Sequence, residues 1–578
     1  MPGIAGGFGV DSKIMASQLC YRDYTSISTI YSEVGQFSVA HHEPAQNSDW
    51  AVYSNDDVKA IVWGQPPPTL DASVIQQAMR DPLKLRGLDG SWALAAISGQ
   101  QILIATDRMA SRPVFYSEES PIRVASELKG ILPVMSKWSL DILWLMDFLA
   151  FAFGWGNRTI VKEIKALPPA TALIADKKSY KLYRYAEWLF PTIEKHRDYI
   201  PELVHRYTNA VRDTLDRLPD SLTIGFDLSG GLDSRVMASV ARDYIDYTFT
   251  YDGNPPNGRQ PIIAAQIANT LRLPNDRVDY GEGGAWARVL QDTIWATDGM
   301  KEWGHYHAIP FTWEKLPQQV NVMISASGQG ELFGEDIEEQ FLAKPPVDAL
   351  LYKFQRYHPN IVRALVRDKT WTPRDSLQAV IASSEGRTNR ERVLCAVYEN
   401  FYPNFHFKGR PVRAVIEMIN PLINCSLLDW IGAMPASLRA TQYFNGKIRG
   451  WNSKLKLEIA RHINNGIENV PCDGSYFSPK KPALLHVAGV CLSQYLISRF
   501  RHRSSGAKVW MREDSEFQTL IKEGLSALSY INEIDMDRVW EYWDSYQSGY
   551  KDFTPLFCKL STVGLWLDRA QARFLSKT

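Results

Sequence analysis

The stretch that decides the fold lies at residues 222–235 and reads LTIGFDLSGGLDSR. An apolar run of strand length ends at Asp227, and two adjacent glycines, Gly230 and Gly231, come just before a segment that fits a helix. Adjacent glycines allow backbone conformations closed to other residues, so main-chain N–H groups can close on a ligand. The helix adds the partial positive charge of its N-terminus at the same place. The stretch therefore predicts a polyphosphate-binding loop.

Hydroxyl and carboxylate side chains complete this loop. Asp233 would repel a phosphate unless a divalent cation lay between them, so it predicts Mg²⁺ as well. The string matches neither GxxxxGK[ST] nor GxGxxG, which indicates a different phosphate chemistry. A turn whose glycines serve only tight packing is the alternative. The residues expected to bind the ligand are Leu228, Ser229, Gly230, Gly231, Asp233 and Ser234, with Asp233 on the metal.

Short strands and helices alternate around the loop, as in a parallel sheet with crossover helices. Residues 247–251 fit a second strand and residues 261–271 a second helix, with Pro261 near its first turn. Ligands bind beyond the carboxyl ends of such strands, so we expect Tyr251 to lie beside a nucleotide base. From about Pro345 onward helical spacing dominates and strands are hard to find.

Residues before about 190 have a different hydrophobic pattern, with short apolar runs in place of helical spacing. Apolar runs at 58–63, 92–97 and 102–106 are separated by turn residues, which predicts hairpins and an antiparallel sheet. Helical spacing begins near Ile200. We therefore predict two domains, residues 1–195 and residues 196–578.

Composition argues against several partners. The 578 residues carry 64 Lys plus Arg and 64 Asp plus Glu, so no overall positive surplus favours nucleic acid. The six cysteines lie far apart, which indicates neither a disulfide scaffold nor a structural zinc. No apolar stretch reaches 18 residues, so we expect no membrane span. The expectation is a soluble protein of the reducing cytoplasm.

The string SGGLDS resembles the pyrophosphate loop of the asparagine synthetase family. Stretches at 1–6, 88–93, 105–108, 112–116, 125–129 and 159–169 are similar to that family in the same order. The resemblance implies an α+β N-terminal antiparallel sandwich of the Ntn type, like a class II glutamine amidotransferase domain. It implies an α/β parallel-sheet ATP-pyrophosphatase domain after it, with a largely helical C-terminal part. It also implies that ATP and Mg²⁺ convert a carboxylate to an acyl-adenylate, from which an amine displaces AMP.

The chain departs from the family at its glutaminase nucleophile. Glutamine-using members have cysteine after the initiator methionine, and this chain has Pro2, which supplies no thiol. We therefore predict no glutamine hydrolysis, as in the β-lactam synthetase and lasso-peptide cyclase relatives. Those relatives imply a small-molecule or peptide carboxylate as substrate, and for a peptide a precursor and its processing protease as partners.

Residues 325–334 resemble the family's SGEGxDELFGG stretch, which supplies a second metal-binding aspartate. Here that aspartate falls on Gly330, so Glu331 is the nearest candidate ligand, and Ser327 and Gly328 are expected to contact the nucleotide. The alternative is that the glycines only shape a loop.

Residues 417–424 resemble a family stretch in which Glu417 would orient the incoming amine; a helix-terminal carboxylate facing solvent is the alternative. The family also uses a lysine that assists pyrophosphate departure. Two windows can supply it, Lys454 with Lys456, and Lys480 with Lys481. Spacing favours Lys481, followed by Lys480.

Together these features predict an ATP-dependent amide-forming ligase that releases AMP and pyrophosphate, with intramolecular macrolactam closure as the leading reaction. Ammonia-dependent asparagine synthesis is the alternative. Two further alternatives come from different functional classes. The chain could be a non-catalytic scaffold relative, or an enzyme that amidates or thiolates a nucleotide.

Overall fold

A computed structural model describes residues 2–21, 25–42, 49–190, 199–252, 258–279, 283–306, 308–333, 343–367, 370–384, 387–406, 409–434, 442–443, 448–449, 454–500 and 506–574. The N-terminal part is built from twelve strands among these residues. They are β1 (Gly3–Phe8), β2 (Thr25–Tyr31), β3 (Gly35–His42), β4 (Trp50–Ser54), β5 (Lys59–Gly64), β6 (Trp92–Ser98), β7 (Gln101–Thr106), β8 (Phe115–Ser117), β9 (Arg123–Ala125), β10 (Ile164–Ala166), β11 (Thr171–Ala175) and β12 (Tyr180–Arg184).

These strands form two antiparallel sheets, ordered β10-β8-β9-β1-β3-β2 and β12-β11-β7-β6-β5-β4. Alternate side chains of both sheets meet in one apolar core; Ile4 and Val39 of the first pack with Ile61 and Ile104 of the second. Two six-stranded sheets sharing a core make a sandwich. Four helices accompany it, α1 (Ser12–Ser17), α2 (Ala72–Arg80), α3 (Leu128–Ile131) and α4 (Ile142–Phe151).

The second part contains a five-stranded sheet whose described pairings are all parallel. Its order is β15-β14-β13-β16-β17, with β13 (Ile224–Asp227) in the middle. The others are β14 (Tyr247–Asp252), β15 (Asn275–Asp279), β16 (Val322–Ile324) and β17 (Glu417–Ile419). Six helices flank this region, α5 (Tyr199–Leu215), α6 (Leu232–Val240), α7 (Arg259–Leu271), α8 (Gly283–Ala296), α9 (Ile309–Glu314) and α10 (Gln329–Leu332).

The remaining chain is largely helical, apart from β17 and a small ladder of β18 (Gln442–Tyr443) and β19 (Ile448–Arg449). A π-helical turn at Val397–Phe401 joins two of the helices. They are α11 (Pro346–Phe354), α12 (Pro359–Ala364), α13 (Pro373–Ala382), α14 (Asn389–Ala396), α15 (Tyr402–His406), α16 (Arg410–Arg413), α17 (Cys425–Ala433), α18 (Lys454–Ile463), α19 (Ala483–Phe500), α20 (Gly506–Glu513), α21 (Ser515–Ala527), α22 (Met536–Gln547) and α23 (Thr554–Phe574).

The predicted fold class is confirmed: an antiparallel sandwich precedes a parallel sheet and a largely helical C-terminal part. Strand β17 was not predicted, because three residues are too short to show a strand periodicity. The proposed boundary at 195/196 stays a prediction, since residues 191–198 lie outside the described part. Among the described residues, no helix combines the length and apolarity needed to cross a bilayer.

Candidate functional site

The glycine loop lies at the carboxyl end of the central strand, between β13 and α6. Two serines close it: Ser229 Oγ lies 2.7 Å from Ser234 Oγ, and Ser229 N donates to Ser234 Oγ at 3.0 Å. Gly231 N donates to Ser229 Oγ at 3.2 Å. The serine hydroxyls therefore hold the loop's shape.

Helix α6 starts at Leu232 with Gly231 as its N-cap, and no side chain caps it. N–H groups in the first turn of a helix lack intrahelical partners, so an uncapped end leaves them available to an anion. Gly230 packs tightly beneath the loop, where a Cβ would lie 3.1 Å from Asp473 Cβ and 3.3 Å from Ile263 Cβ. The loop thus presents backbone rather than side chains.

A buried arginine ties the loop to a distant segment. Arg235 Nη1 donates to Val470 O at 2.5 Å, and its Nη2 donates to Pro471 O at 2.7 Å and to Gly230 O at 3.4 Å. Asp473 N also donates to Gly230 O, at 3.2 Å. The fully buried Arg235 therefore holds the first turn of α6 against residues 470–473.

The loop aspartate is paired with a lysine from α18. Lys456 Nζ lies 3.0 Å from Asp233 Oδ1 and 3.1 Å from Asp233 Oδ2. The lysine side chain is 2% exposed, whereas that of Asp233 is 39% exposed. A cation and a carboxylate thus stand together beside the uncapped helix end.

The favoured lysine window lies elsewhere. Lys480 Nζ is 3.4 Å from Glu468 Oε1 and half exposed, and Lys481 is exposed. Of the lysines considered from the sequence, the structure brings Lys456 to the loop, while the side chain of Lys454 lies outside the described residues.

The stretch after β16 also lies beside the loop. Ser327 O accepts from Asn420 Nδ2 at 3.2 Å, and Gly328 O accepts from the Tyr402 hydroxyl. Gln329 Oε1 accepts from Tyr207 Oη at 2.8 Å. Strand β16 ends at Ile324, level with Phe226 of β13, so this stretch and the glycine loop begin at the same edge of the sheet. Burial first, and then the charge of Asp233, raises the pKa of Tyr207. The side chain of Glu331, the predicted second metal ligand, lies outside the described residues.

Two predicted strand-end positions share one face of the sheet. Asp227 pairs in register with Phe249, two residues before Tyr251, so all three side chains point to the same side. Asp227 keeps some solvent-exposed surface, but the protein packed around its carboxyl group desolvates it and raises its pKa to about 7. Tyr251 is half-buried and packs edge to face on Phe249.

Glu417 has a different place from the one expected. It lies at the start of β17, level with Ile224, and not at the carboxyl edge that bears the loop. Its Oε1 accepts from Arg112 Nη2 at 2.7 Å, and both side chains are fully buried. Arg112 lowers the pKa of Glu417 against the effect of burial. Instead of facing solvent or the loop, Glu417 therefore joins the two parts of the chain.

Other family-like stretches of the sandwich lie at this same interface. Gly90 N donates to Ile423 O at 2.9 Å, and Arg108 Nη2 lies 2.6 Å from Asp429 Oδ1. Lys129 Nζ lies 2.9 Å from Asp298 Oδ1, with both side chains fully buried. Resemblance alone identified these stretches, but it did not indicate that they face the second domain.

The loop residues fit a metal-bound polyphosphate. Mg²⁺ prefers oxygen ligands and is commonly held by one or two carboxylates plus substrate phosphates, which Asp233 and the adjacent hydroxyls suit. No group of three or more metal-ligating side chains occurs within the described ranges, so a cation here would need oxygens from the ligand itself. Lys456 and the uncapped α6 suit the phosphate charge.

Comparison with known proteins finds matches in both parts of the chain. A family model described as a glutamine amidotransferase domain matches residues 71–186, and one described as asparagine synthase matches residues 206–394. The chain is 23% identical over 273 residues to a putative asparagine synthetase (glutamine-hydrolyzing) 2 of Methanocaldococcus jannaschii. That match covers 43% of the chain and 50% of the relative.

The chain is also 24% identical over 238 residues to asparagine synthetase (glutamine-hydrolyzing) 1 of Bacillus subtilis, covering 40% of the chain and 37% of the relative. The chain thus spans half or less of the length of these curated relatives. A solved allosteric regulatory enzyme of purine biosynthesis aligns at a TM-score of 0.23 and 10% identity, over 48% of this chain and 81% of that one. An NH3-dependent NAD synthetase from Campylobacter jejuni aligns at a TM-score of 0.19 and 13% identity, over 35% of this chain and 92% of that one. These scores are too low to establish a shared fold.

The two domain models match in the order seen in the structure, a sandwich followed by the parallel sheet with its SGGLDS loop. The curated matches are both asparagine synthetases. The domain models and the curated matches together support the asparagine synthetase family for this chain.

Proposed function

We propose that the chain is an ATP-dependent amide-forming ligase of the asparagine synthase type. The observation that carries this proposal is the Lys456–Asp233 pair beside an uncapped helix end and a glycine loop. This combination offers backbone donors, one cation and one carboxylate to a single ligand. A triphosphate with its bound metal needs all three.

The reaction has two balanced steps. A carboxylate oxygen attacks the α-phosphorus of ATP, the bond from the α-phosphorus to the bridging oxygen breaks, and pyrophosphate leaves from the acyl-adenylate. An amine nitrogen then attacks the acyl carbon, AMP leaves with the former carboxylate oxygen, and the nitrogen loses a proton. AMP, and not ADP, is the expected nucleotide product.

The chain's own residues bind and orient the phosphates. The first-turn N–H groups of α6 face the anion, while Ser229 and Ser234 keep the loop closed. Mg²⁺, when bound, would neutralise phosphate charge next to Asp233. Lys456 is mostly shielded from water, where an ammonium group stabilises developing negative charge more strongly than it does in solvent.

We infer that the N-terminal domain does not hydrolyse glutamine. Pro2 directly precedes β1, at the position where the family resemblance puts the nucleophile, and proline has no thiol. Cys20 is the one cysteine before residue 395. Burial raises the pKa of its thiol, so it is a poor substitute for an activated thiolate.

Without ammonia from glutamine, the amine must come from another source. We propose that it belongs to the substrate itself and that amide formation closes a ring, a macrolactam if the substrate is a peptide. A precursor peptide and its processing protease would then be the partners. All six cysteines are unpaired, which supports a reducing, cytoplasmic location.

The test is a pyrophosphate-release assay with separate AMP and ADP measurement. Candidate linear peptides, and aspartate with ammonium, are the substrates. Release of AMP with a cyclic peptide product supports the proposal. Asparagine formed from aspartate and ammonium would replace ring closure by ammonia-dependent synthesis, and ADP would contradict the reaction type. If no carboxylic acid gives pyrophosphate release, a non-catalytic scaffold role is favoured. Glutamate produced from glutamine would overturn the inference from Pro2.

A further inference from the structure

A cavity of about 410 Å³ lies between the sandwich and the helical C-terminal part. Its volume falls in the range of small-molecule sites. The sandwich side consists of the turn at residues 154–158 and the segment at residues 166–169. The helical side is one face of α13, formed by Ser376, Ala379 and Val380, together with Ser383 at its C-terminal end and residues around the π-helical turn.

This interdomain cavity lies on the other side of α15 from the candidate nucleotide site. Asn400, Pro403 and Asn404 line the cavity. Tyr402, between them in sequence, donates its hydroxyl to Gly328 O of the stretch beside the glycine loop. Residues three and four apart share a helix face, while residues two apart do not. A ligand in the cavity would therefore be separate from a nucleotide at the loop.

One hydrogen bond donated by the backbone bridges the two sides of the cavity, and aromatic side chains form part of its lining. Gly156 N donates to Asn400 Oδ1 at 2.9 Å, which joins the turn to the π-helical turn. Trp144 and Trp155 are fully buried and line the cavity together with Phe115. Short π-helical turns frequently occur at functional sites. The walls suit an apolar or aromatic group.

The two arginines that line the cavity differ in how well their N–H groups are paired. Arg184 and Glu399 neutralise each other, with nitrogen–oxygen distances of 2.5 and 2.9 Å. Arg158 Nη1 is 3.6 Å from Asp147 Oδ2 and 3.3 Å from Ser376 Oγ, which are long contacts for a guanidinium with five N–H groups. Its side chain is 28% exposed. Arg158 therefore retains donors for a ligand.

The charge of the cavity also selects its ligand. A single arginine with remaining donors matches one carboxylate better than a doubly charged phosphate.

We propose that the interdomain cavity binds a small monocarboxylate with an apolar or aromatic body, such as the C-terminal residue of a peptide. Arg158 holds the carboxylate, and the Trp144, Trp155 and Phe115 walls hold the apolar body. This site is additional to the nucleotide site and does not depend on the proposed ligase reaction.

The test is isothermal titration with N-acetyl-L-phenylalanine and its uncharged amide. We expect saturable binding of the acid, and an affinity for the amide that is lower by about tenfold or more. Arg158→Gln should reduce the affinity for the acid to that for the amide. Val380→Trp, which fills the cavity, should abolish binding of both. Arg86→Gln, at an exposed arginine, is the matched control and should change nothing.

Three results would overturn the proposal. They are no saturable binding of the acid, equal affinities for acid and amide, and unchanged binding in Val380→Trp. Saturating ATP with Mg²⁺ should leave the acid bound; displacement would put the acid in the nucleotide site instead. The acid–amide comparison on the unmodified chain keeps the test decisive if Arg158→Gln does not fold.

Discussion

Lys456 Nζ lies 3.0 Å from Asp233 Oδ1, so a nearly buried ammonium from α18 meets the carboxylate of the glycine loop. Because the aspartate is partly exposed and the lysine is not, a cation arriving from solvent would meet the carboxylate first. The lysine would then remain as a buried positive charge beside the phosphates. This relationship links the loop to a helix far along the chain and makes both residues testable.

Asp233→Ala should lower the rate of carboxylate-dependent pyrophosphate release by about 10²-fold or more. The variant removes the carboxylate that would hold the metal and leaves Lys456 unpaired. The matched control is Asp220→Asn, at an exposed aspartate before β13, which should keep full turnover. Retained turnover in Asp233→Ala would mean that the metal binds elsewhere.

Lys456→Met should lower kcat for pyrophosphate release by about 10²-fold, since it removes the cation beside the loop while keeping an apolar stem. Lys480→Met and Lys481→Met serve as comparisons, because both lysines are exposed and neither is paired with Asp233. Steady-state kinetics on the three variants decide between the windows. A large loss confined to Lys481→Met would restore the choice favoured by sequence spacing.

Arg112→Met should destabilise the chain by about 3–5 kcal/mol, because it removes the guanidinium that is paired with the buried Glu417 carboxylate. The double variant Arg112→Met/Glu417→Leu removes both charges and should recover most of that loss. Thermal unfolding followed by circular dichroism measures both. Arg80→Met, at an exposed arginine, is the control. A double variant as unstable as the single one would show that the pair itself is not what stabilises the interface.

Asp147→Asn should change the pH dependence of stability. Burial raises the pKa of Asp147 to about 7, although the Ser376 hydroxyl and Arg158 oppose this effect. The ordinary aspartate pKa is about 3.9, so between these values the folded chain keeps a proton that the unfolded chain has lost. Its contribution to stability therefore declines as pH rises from about 4 to about 7.

The asparagine variant cannot ionise, so its unfolding temperature should exceed that of the unmodified chain by more at pH 8 than at pH 5. Thermal midpoints at the two pH values measure this difference. Asp56→Asn, at an exposed aspartate, should show no such change. An equal shift at both pH values would mean that Asp147 is ionised throughout.

Gly328→Ala should be more destabilising than Gly99→Ala. Both glycines have positive φ, +88° and +54°, which costs an alanine about 1–2 kcal/mol. Only Gly328 has a close neighbour, since its Cβ would lie 2.7 Å from the Tyr402 hydroxyl, whereas Gly99 faces open space. Denaturant midpoints compare the two, and adding Tyr402→Phe should partly rescue Gly328→Ala. Equal losses at both positions would exclude the steric effect.

Local segments were predictable because their determinants are close together in sequence. Strand β13, the glycine turn and α6 follow one another within residues 224–240, so alternation, turn chemistry and helical spacing are visible in one window. The hairpins of the sandwich follow from the same local rules. The family assignment added the order of the two domains.

Tertiary contacts were not predictable in this way. Lys456 is 223 residues from Asp233 in sequence, and Arg112 is 305 residues from Glu417. Spacing along the chain favoured Lys481, and no local feature of the sequence marked Lys456 as the lysine that is buried beside Asp233. A glutamate in a family-like stretch likewise carries no sign of which face of the sheet it occupies.

The amino-acid sequence by itself determined the loop, its helix and the fold class, because these depend on backbone preferences and on spacing over a few residues. Only the tertiary structure decided which lysine meets Asp233, that Glu417 joins the two domains, and where the interdomain cavity lies. Such pairings arise from the packing of the sheets and helices against one another, and packing brings together residues whose separation in sequence says nothing about their distance.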